Sequence, residues 1–378
     1  MKKVIVLGIL ILSIVVPLFV LAPRGEDFPL QNWEENFGQM WIIGFEGTEV
    51  TPALSKLMGE VRPGGILLLG RNIVNREQTK KLIEDLQELS MRNTGVPLFV
   101  AVDQEGGIVS RIPWADNTSP SDLKDFQHAF SVGQKRAQAL KEVGINMNLA
   151  PVIDSNNNTD FLFSRSFQKS PQVSLELAQA LIEGQGEQGV IAVPKHFPGY
   201  DTIAFNPEDG LLPSATDFPD TSLFEKVLEG FGVPFIMISH VVYEKIDPEH
   251  PLPLSEKGVS LVREKLGEQV LLMSDDLSSR SLMENYSFST IGKGVLQAGI
   301  NVFLLGGYPD ARVVGEFYRA MQNALVKERS LNVAGVGRLY EVLFGQVQNE
   351  RELQSLVASS AAKILEMKKT LHLEEKMF

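Results

Sequence analysis

The sequence predicts an α/β protein, a single (β/α)8 barrel of the TIM type that follows an apolar N-terminal segment. Short, nearly continuous apolar runs recur along the 378 residues, and longer stretches with helical periodicity separate them. Such runs are typical of strands covered on both faces, as in a parallel sheet. No linker rich in Pro, Gly or Ser divides residues 30–345. We therefore expect one domain over residues 30–378, completed by closing C-terminal helices.

The first element is an uncharged apolar run from Val4 to Pro23, preceded by Lys2 and Lys3. Its length approaches that of a helix that crosses a bilayer, and the two lysines favour a cytoplasmic N-terminus. A cleaved signal peptide is the alternative interpretation. Residues 1–29 are thus predicted to be a signal peptide or a membrane anchor. Both interpretations place the remainder of the chain outside the cytoplasm, anchored in the membrane or secreted to the cell envelope.

Eight apolar runs follow, and each predicts one strand. They are MWIIGF (40–45), GGILLLG (64–70), PLFVAVD (97–103), INMNLAPVID (145–154), VIAVPKHF (190–197), PFIMISHV (234–241), VLLMSDDL (270–277) and NVFLLGG (301–307). An open doubly wound sheet is the alternative to a barrel, but the glycine-containing runs lack the G-x-G-x-x-G spacing of a dinucleotide-binding sheet.

The segments between these runs have helical periodicity. In residues 75–89 apolar side chains line one face, and Asn75 with Gln78 predicts a capping box at the start. Residues 172–187 and 254–266 show the same pattern. These helices supply the crossovers that parallel strands require.

Composition excludes several classes of protein. A net charge of −12 argues against an electrostatic footprint for nucleic acid, so we expect no nucleic-acid partner. The absence of cysteine excludes disulfides and thiolate zinc sites. An apolar fraction of 44% is sufficient for a large core.

Ionisable side chains stand at the ends of five of the eight runs. They are Asp103 with Glu105, Asp154, Lys195 with His196, His240, and Asp275 with Asp276. In a (β/α)8 barrel the C-terminal ends of the strands share one rim, and this rim carries the active site. The pattern therefore predicts one functional cluster.

Several kinds of site can be excluded for this cluster. The segment DSNNNTD (154–160) copies only the first ligands of a calcium loop, since the glycine is missing and Arg165 replaces the final glutamate. No His-x-x-x-His pair and no G-x-S-x-G elbow is present. We expect neither a metal nor a cofactor. A pocket rich in carboxylates with a few basic donors suits a neutral, polyhydroxylated substrate, and sugar hydrolysis uses two carboxyl groups in such a setting.

Seven motifs resemble, in order and spacing, those of the catalytic barrel of glycoside hydrolase family three. They are GGILLLGRNI, VAVDQEGGIVSRI, NLAPVIDSN, FSRSF, KHFPG, SHVVYEKID and LLMSDDLS. The sequence is most similar to single-domain β-N-acetylhexosaminidases that act on bacterial cell-wall fragments. The resemblance implies a retaining exo-β-glycosidase, a β-N-acetylglucosaminidase, with Asp275 as the nucleophile. It also implies that the terminal sugar is held by Asp103, Arg111, Arg165, Lys195 and His196.

Adjacent aspartates cannot both face the reacting carbon. We therefore expect the carboxylate of Asp276 to accept hydrogen bonds from the backbone instead.

One loop departs from the family pattern. The family carries an Asp-Ser-His triplet whose histidine donates the proton, whereas this loop reads KHFPGYDTIAFNPEDG and contains no histidine at that place. The first explanation is that Glu208 serves as general acid/base, as carboxylic acids do in most glycosidases. A shifted loop would assign the role to Asp209 or Asp201. The third explanation is a catalytically impaired, membrane-held glycan-binding protein or scaffold. We favour Glu208.

Overall fold

The computed structural model describes residues 36–154, 158–201, 203–231, 233–306 and 351–371, together with residues 340, 344 and 347. The predicted signal peptide or anchor at residues 1–29 lies outside the described residues. Within the described ranges, no helix is both long enough and apolar enough to span a membrane.

Every predicted apolar run contains a strand that is shorter than the run. In chain order the strands are β1 (Trp41–Gly44), β2 (Gly65–Leu68), β3 (Phe99–Val102), β4 (Gln104–Gly106), β5 (Val109–Ser110), β6 (Met147–Asn148), β7 (Ile191–Ala192), β8 (Ser214–Ala215), β9 (Phe235–Ile238), β10 (Val242–Tyr243), β11 (Leu271–Ser274) and β12 (Phe303–Leu305). Strands β4 and β5 form an antiparallel hairpin, and β8 pairs with β10; these four lie outside or between the predicted runs.

The main sheet is parallel. Six strands follow the order β12-β1-β2-β3-β6-β7, and β9 pairs with β11, also in parallel. Isolated parallel pairings join Phe197 to Ile238 and Met273 to Val302. The predicted α/β class with a parallel sheet is confirmed.

Helices alternate with these strands. They are α1 (Pro52–Val61), α2 (Arg76–Thr94), α3 (Phe126–Lys141), α4 (Pro171–Glu187), α5 (Ser222–Phe231), α6 (Glu256–Leu266), α7 (Arg280–Met283), α8 (Phe288–Ala298) and α9 (Arg351–Thr370). The three predicted helices are therefore present. The predicted capping box of α2 is only half correct: Asn75 Oδ1 accepts from the Gln78 amide, but Gln78 Oε1 accepts from the amide of Val74 and not from that of Asn75.

The core explains why the strand sequences are continuously apolar. Every residue of β1, β2, β3, β9 and β11 is buried. Strands that are covered on both faces have no solvent side on which polar residues are favoured. Trp41, at the start of β1, packs edge to face against Phe37 and Phe303, with ring centroids 5.8 and 5.5 Å apart.

Helix α9 closes the N-terminal end of the sheet. The ammonium of Lys368, which is 1% exposed, donates to Gln39 Oε1 at 3.0 Å, to the carbonyl of Gly64 at 2.8 Å and to that of Pro97 at 2.7 Å. It also lies 4.9 Å from the ring centroid of Phe99. Gly64 and Pro97 come just before β2 and β3, so Lys368 ties α9 to the strand ends opposite the polar cluster described below.

Candidate active site

A cavity of about 610 Å³ lies at the C-terminal ends of the strands. Six of the seven residues for which the sequence predicts a role line it: Asp103, Arg111, Arg165, Lys195, His196 and Asp275. Five further ionisable residues line it as well: Arg71, Glu105, Tyr200, His240 and Asp276. Ionisable side chains from four of the five predicted strand ends thus line one cavity, and the fifth, Asp154, contacts His196 behind it.

A network of buried ion pairs forms one wall. Lys195 Nζ lies 2.6 Å from Asp103 Oδ1 and 2.7 Å from Glu105 Oε1. Arg165 donates two hydrogen bonds to the Glu105 carboxylate, from Nε to Oε2 at 2.9 Å and from Nη2 to Oε1 at 2.7 Å. Such a bidentate pair fixes geometry as well as charge.

Glu105, Lys195 and Arg165 each favour their charged form despite their burial. Burial alone would raise the pKa of Glu105, but the charges of Arg165 and Lys195 outweigh it and hold this pKa well below its ordinary value. Burial likewise opposes the charged forms of the two cations, yet the carboxylates around them raise the pKa of Lys195 and of Arg165. The sequence places Glu105 in the predicted cluster, two residues after Asp103 at a strand end, but assigns it no role in binding or catalysis.

Asp154 organises the loop that follows β7. Its Oδ2 accepts from the backbone amide of His196 at 2.8 Å and lies 3.1 Å from His196 Nδ1. Its Oδ1 accepts from the amide of Tyr200 at 2.8 Å. Because Nδ1 is engaged in this contact, Nε2 is the ring nitrogen of His196 that remains for a ligand.

Asp275 follows the last residue of β11, and both of its carboxylate oxygens accept hydrogen bonds. Oδ1 accepts from the amide of Asp276 at 2.8 Å, and Oδ2 accepts from the hydroxyl of Tyr200 at 2.9 Å. Burial opposes ionisation, but His196, His240, the Asp276 amide and the Lys195 ammonium lower the pKa of Asp275 to about 2. Asp275 is therefore ionised at neutral pH.

The carboxylate of Asp276 accepts hydrogen bonds from backbone amides. Its Oδ1 accepts from the Ser278 amide at 2.9 Å, from the Ser278 hydroxyl at 2.6 Å and from the Gly306 amide at 3.0 Å. A Cβ atom at position 306 would collide with Asp276 Oδ2, so this junction requires glycine. The expectation for Asp276 is confirmed.

Two buried nitrogen atoms at the cavity have no hydrogen-bond partner among the residues that the structure describes: His240 Nε2 and Arg111 Nε. Burial lowers the pKa of His240 below its ordinary value. Buried polar atoms are normally satisfied. These two are therefore natural contacts for a bound molecule.

The acid/base loop is placed only in part. Glu208 lies in a 3₁₀ turn, Pro207–Asp209. Pro207 and the preceding residue Asn206 line the cavity, and the Glu208 side chain is outside the described part of the chain. Asp201 and Asp209 are not among the described residues that line the cavity. Burial and the carboxylates of Asp154 and Asp160 raise the pKa of Asp201 to about 7.

Comparison with known proteins identifies the family. The sequence profile described as "Glycosyl hydrolase family 3 N terminal domain" matches residues 33–338. The chain belongs to glycosyl hydrolase family 3. It is a glycosidase, and the resemblance seen in its motifs is confirmed.

Individual relatives agree with this assignment. The glycosidase is 30% identical over 297 residues to a protein named "Beta-hexosaminidase" from Thioalkalivibrio sulfidiphilus, covering 72% of this chain and 82% of that one. Its structure is similar to that of a β-N-acetylhexosaminidase from Beutenbergia cavernae, with a TM-score of 0.75, 24% identity and coverage of 90% and 99%. A fungal multi-domain GH3 β-N-acetylglucosaminidase gives a TM-score of 0.77 at 25% identity; the match covers 89% of this chain and 39% of that longer one.

Proposed function

We propose that this family 3 glycosidase is a retaining exo-β-N-acetylglucosaminidase in which Asp275 is the nucleophile and Glu208 the general acid/base. The observation that carries the proposal is the Asp275 carboxylate: it lines the cavity at a strand end, is ionised and is held by hydrogen bonds at both oxygens. A carboxylate nucleophile must be ionised and oriented before it attacks an anomeric carbon.

The eight strands of the predicted runs are proposed to close into a barrel. Two isolated parallel pairings support closure: Phe197 with Ile238 connects the segment after β7 to β9, and Met273 with Val302 connects β11 to the segment before β12. Together with the six-stranded sheet and the β9–β11 pair, these contacts support the proposed ring of eight parallel strands. In a closed ring the strand ends surround one pocket, which is the placement that the mechanism needs.

The sugar-binding wall is proposed to consist of Asp103, Arg111, Arg165, Lys195 and His196. Only Oδ1 of Asp103 bonds to Lys195, which leaves Oδ2 to accept from sugar hydroxyls. The ion pairs keep these groups rigid, so a ring placed against them is oriented with little loss of side-chain freedom. The cavity volume falls within the range of about 300–1,000 Å³ that is usual for small-ligand sites.

The reaction proceeds in two displacements. Glu208 protonates the glycosidic oxygen while an oxygen of Asp275 bonds to the anomeric carbon, the carbon–oxygen bond breaks, and the leaving alcohol departs with the proton. Glu208 then takes a proton from water, the water oxygen bonds to the anomeric carbon, and the Asp275 carboxylate is released. Retention requires the two carboxyl groups to be about 5–5.5 Å apart. Glu208 directly follows the cavity-lining residues Asn206 and Pro207, whereas the described side chains of Asp209 and Asp201 do not line the cavity, which supports Glu208.

The amino-sugar preference is supported by relatives named beta-hexosaminidase and β-N-acetylglucosaminidase. We extend it to cell-wall glycans outside the cytoplasm, on the strength of the Lys2–Lys3 pair and the apolar run that follows. The test incubates the purified full-length chain with 4-nitrophenyl N-acetyl-β-glucosaminide and with 4-nitrophenyl β-glucoside, using Asp275→Asn as the inactive control.

Release of nitrophenol from the first substrate, abolished in Asp275→Asn, is the expected outcome. Release from the glucoside alone would refute the amino-sugar preference. Release from neither, with measurable binding of wall fragments, would replace the proposal by the glycan-binding alternative.

A further inference from the structure

We propose that Tyr200 is a positioning residue for the nucleophile: its hydroxyl orients and stabilises the Asp275 carboxylate in both displacements. The inference rests on the proposed function and adds a residue to it. Tyr200 lies in the loop KHFPGYDTIAFNPEDG, which departs from the family pattern.

The hydrogen bonds at the Tyr200 hydroxyl fix the direction in which it donates its proton. The oxygen accepts from the backbone amide of His240, just beyond β9, at 2.9 Å. With that interaction made, the single hydroxyl proton points to Asp275 Oδ2 at 2.9 Å. Burial and the negative charge of Asp275 raise the pKa of Tyr200 well above its ordinary value, so the hydroxyl stays protonated and acts as a donor.

The Tyr200 ring is held from several sides. The side chain is 2% exposed, and its ring packs edge to face on Phe161 and on His196, with centroids 5.4 and 5.1 Å apart. The Tyr200 amide is bound to Asp154. The hydroxyl therefore presents a fixed donor, whose position does not depend on a bound sugar.

This donor serves both chemical steps. With Oδ1 held by the Asp276 amide and Oδ2 by Tyr200, the plane of the carboxylate is set before attack, and each oxygen keeps a lone pair. In the second step the carboxylate departs from the anomeric carbon and regains its charge. A preorganised hydroxyl lowers the energy of that developing charge. Of the sugar-binding wall, His196 contacts the Tyr200 ring and not its hydroxyl. Removal of the hydroxyl alone therefore leaves the sugar contacts in place.

The test compares Tyr200→Phe with the matched control Tyr243→Phe in the full-length chain. Tyr243 is also buried, and its hydroxyl donates to the carbonyl of Gly199 in the same loop at 3.1 Å. Each variant removes one buried hydroxyl that bonds near the same turn, but only Tyr200 contacts the nucleophile. Phenylalanine keeps the ring contacts, and equal melting temperatures check that both variants fold.

For Tyr200→Phe we expect kcat on 4-nitrophenyl N-acetyl-β-glucosaminide to fall about ten- to hundred-fold, the usual weight of a hydrogen bond to a charged group. The inhibition constant of N-acetylglucosamine should change less than about twofold, because the sugar contacts are intact. Labelling of Asp275 by a fluorinated mechanism-based substrate should slow in parallel with kcat. Tyr243→Phe should keep kcat within about threefold of wild type.

Several results would overturn the inference. One is a wild-type kcat in Tyr200→Phe, and another is an equal loss of kcat in both variants. A loss of sugar binding as large as the loss of kcat would also contradict it. Failure of Tyr200→Phe to fold would make the role of Tyr200 structural. Turnover by the wild-type chain separates these cases from failure of the proposed function, since a wild type without turnover refutes both.

Discussion

Replacing Glu105 with glutamine tests the ion-pair wall of the cavity. Glu105 Oε1 accepts from both Lys195 and Arg165, and Oε2 accepts from Arg165. Glutamine has the same shape but a single acceptor oxygen, so its NH₂ group must face one of the cationic donors. Breaking a buried pair by removing one partner costs about 3–5 kcal/mol. We expect Glu105→Gln to be destabilised by about this amount at pH 7.

The loss of stability in Glu105→Gln should depend on pH in a definite direction. The pKa of Glu105 is lower in the folded protein than its ordinary value of 4.5. The stability contributed by its ionised form is therefore fully present above about pH 4.5 and is lost progressively as the pH falls below it. The difference in unfolding free energy between wild type and Glu105→Gln should be largest at neutral pH and should shrink in acid.

Urea unfolding of both proteins at pH 7 and at pH 4 measures this difference. Asp85→Asn is the control, because Asp85 pairs with Lys81 on the exposed face of α2, and its midpoint should stay unchanged. A Glu105→Gln protein as stable as wild type at pH 7, or a difference that grows in acid, would refute the assignment of Glu105 as a buried anion that holds two cations.

Three further predictions concern chemistry and location. Asp275→Asn should abolish glycosyl-enzyme formation, observed by mass spectrometry with a fluorinated substrate, whereas Asp276→Asn, if it folds, should retain more activity; labelling at another residue would contradict this. Glu208→Ala should slow substrates with poor leaving groups far more than activated aryl glycosides, and azide should partly restore turnover as a glycosyl azide. If Asp209→Ala shows that pattern instead, the loop register is wrong. A reporter active only in the cytoplasm, fused after residue 40, should give no signal, and a strong signal would reverse the predicted topology.

Much of the fold was predictable because a parallel sheet leaves a strong local signal. Strands covered on both faces select apolar residues without alternation, so all eight runs were visible in the sequence. The polar residues at the ends of these runs are also visible in the local sequence. The placement of Asp103, Lys195, His196 and Asp275 around one cavity followed from the rule that parallel strands end at the same edge.

What the sequence could not reveal depends on contacts between distant residues. Glu105 is paired by an arginine 60 positions away, and Tyr200 meets a nucleophile 75 positions away. Lys368 stands in a predicted closing helix at the C-terminal end, and its buried ammonium bonds to oxygens up to 329 residues distant. No local pattern distinguishes a solvated lysine from one that bonds three carbonyl-type oxygens.

The sequence by itself determined the class of fold, the edge at which polar strand ends collect and the family. Each of these depends on the order of residue types over short stretches of the chain. Only the tertiary structure decided which of those polar groups face one another. Charge and hydrogen bonding act through space over a few ångströms, so the ionised state of Asp275 and the donor that orients it exist only after the loop beyond β7 has packed against the ends of β9 and β11.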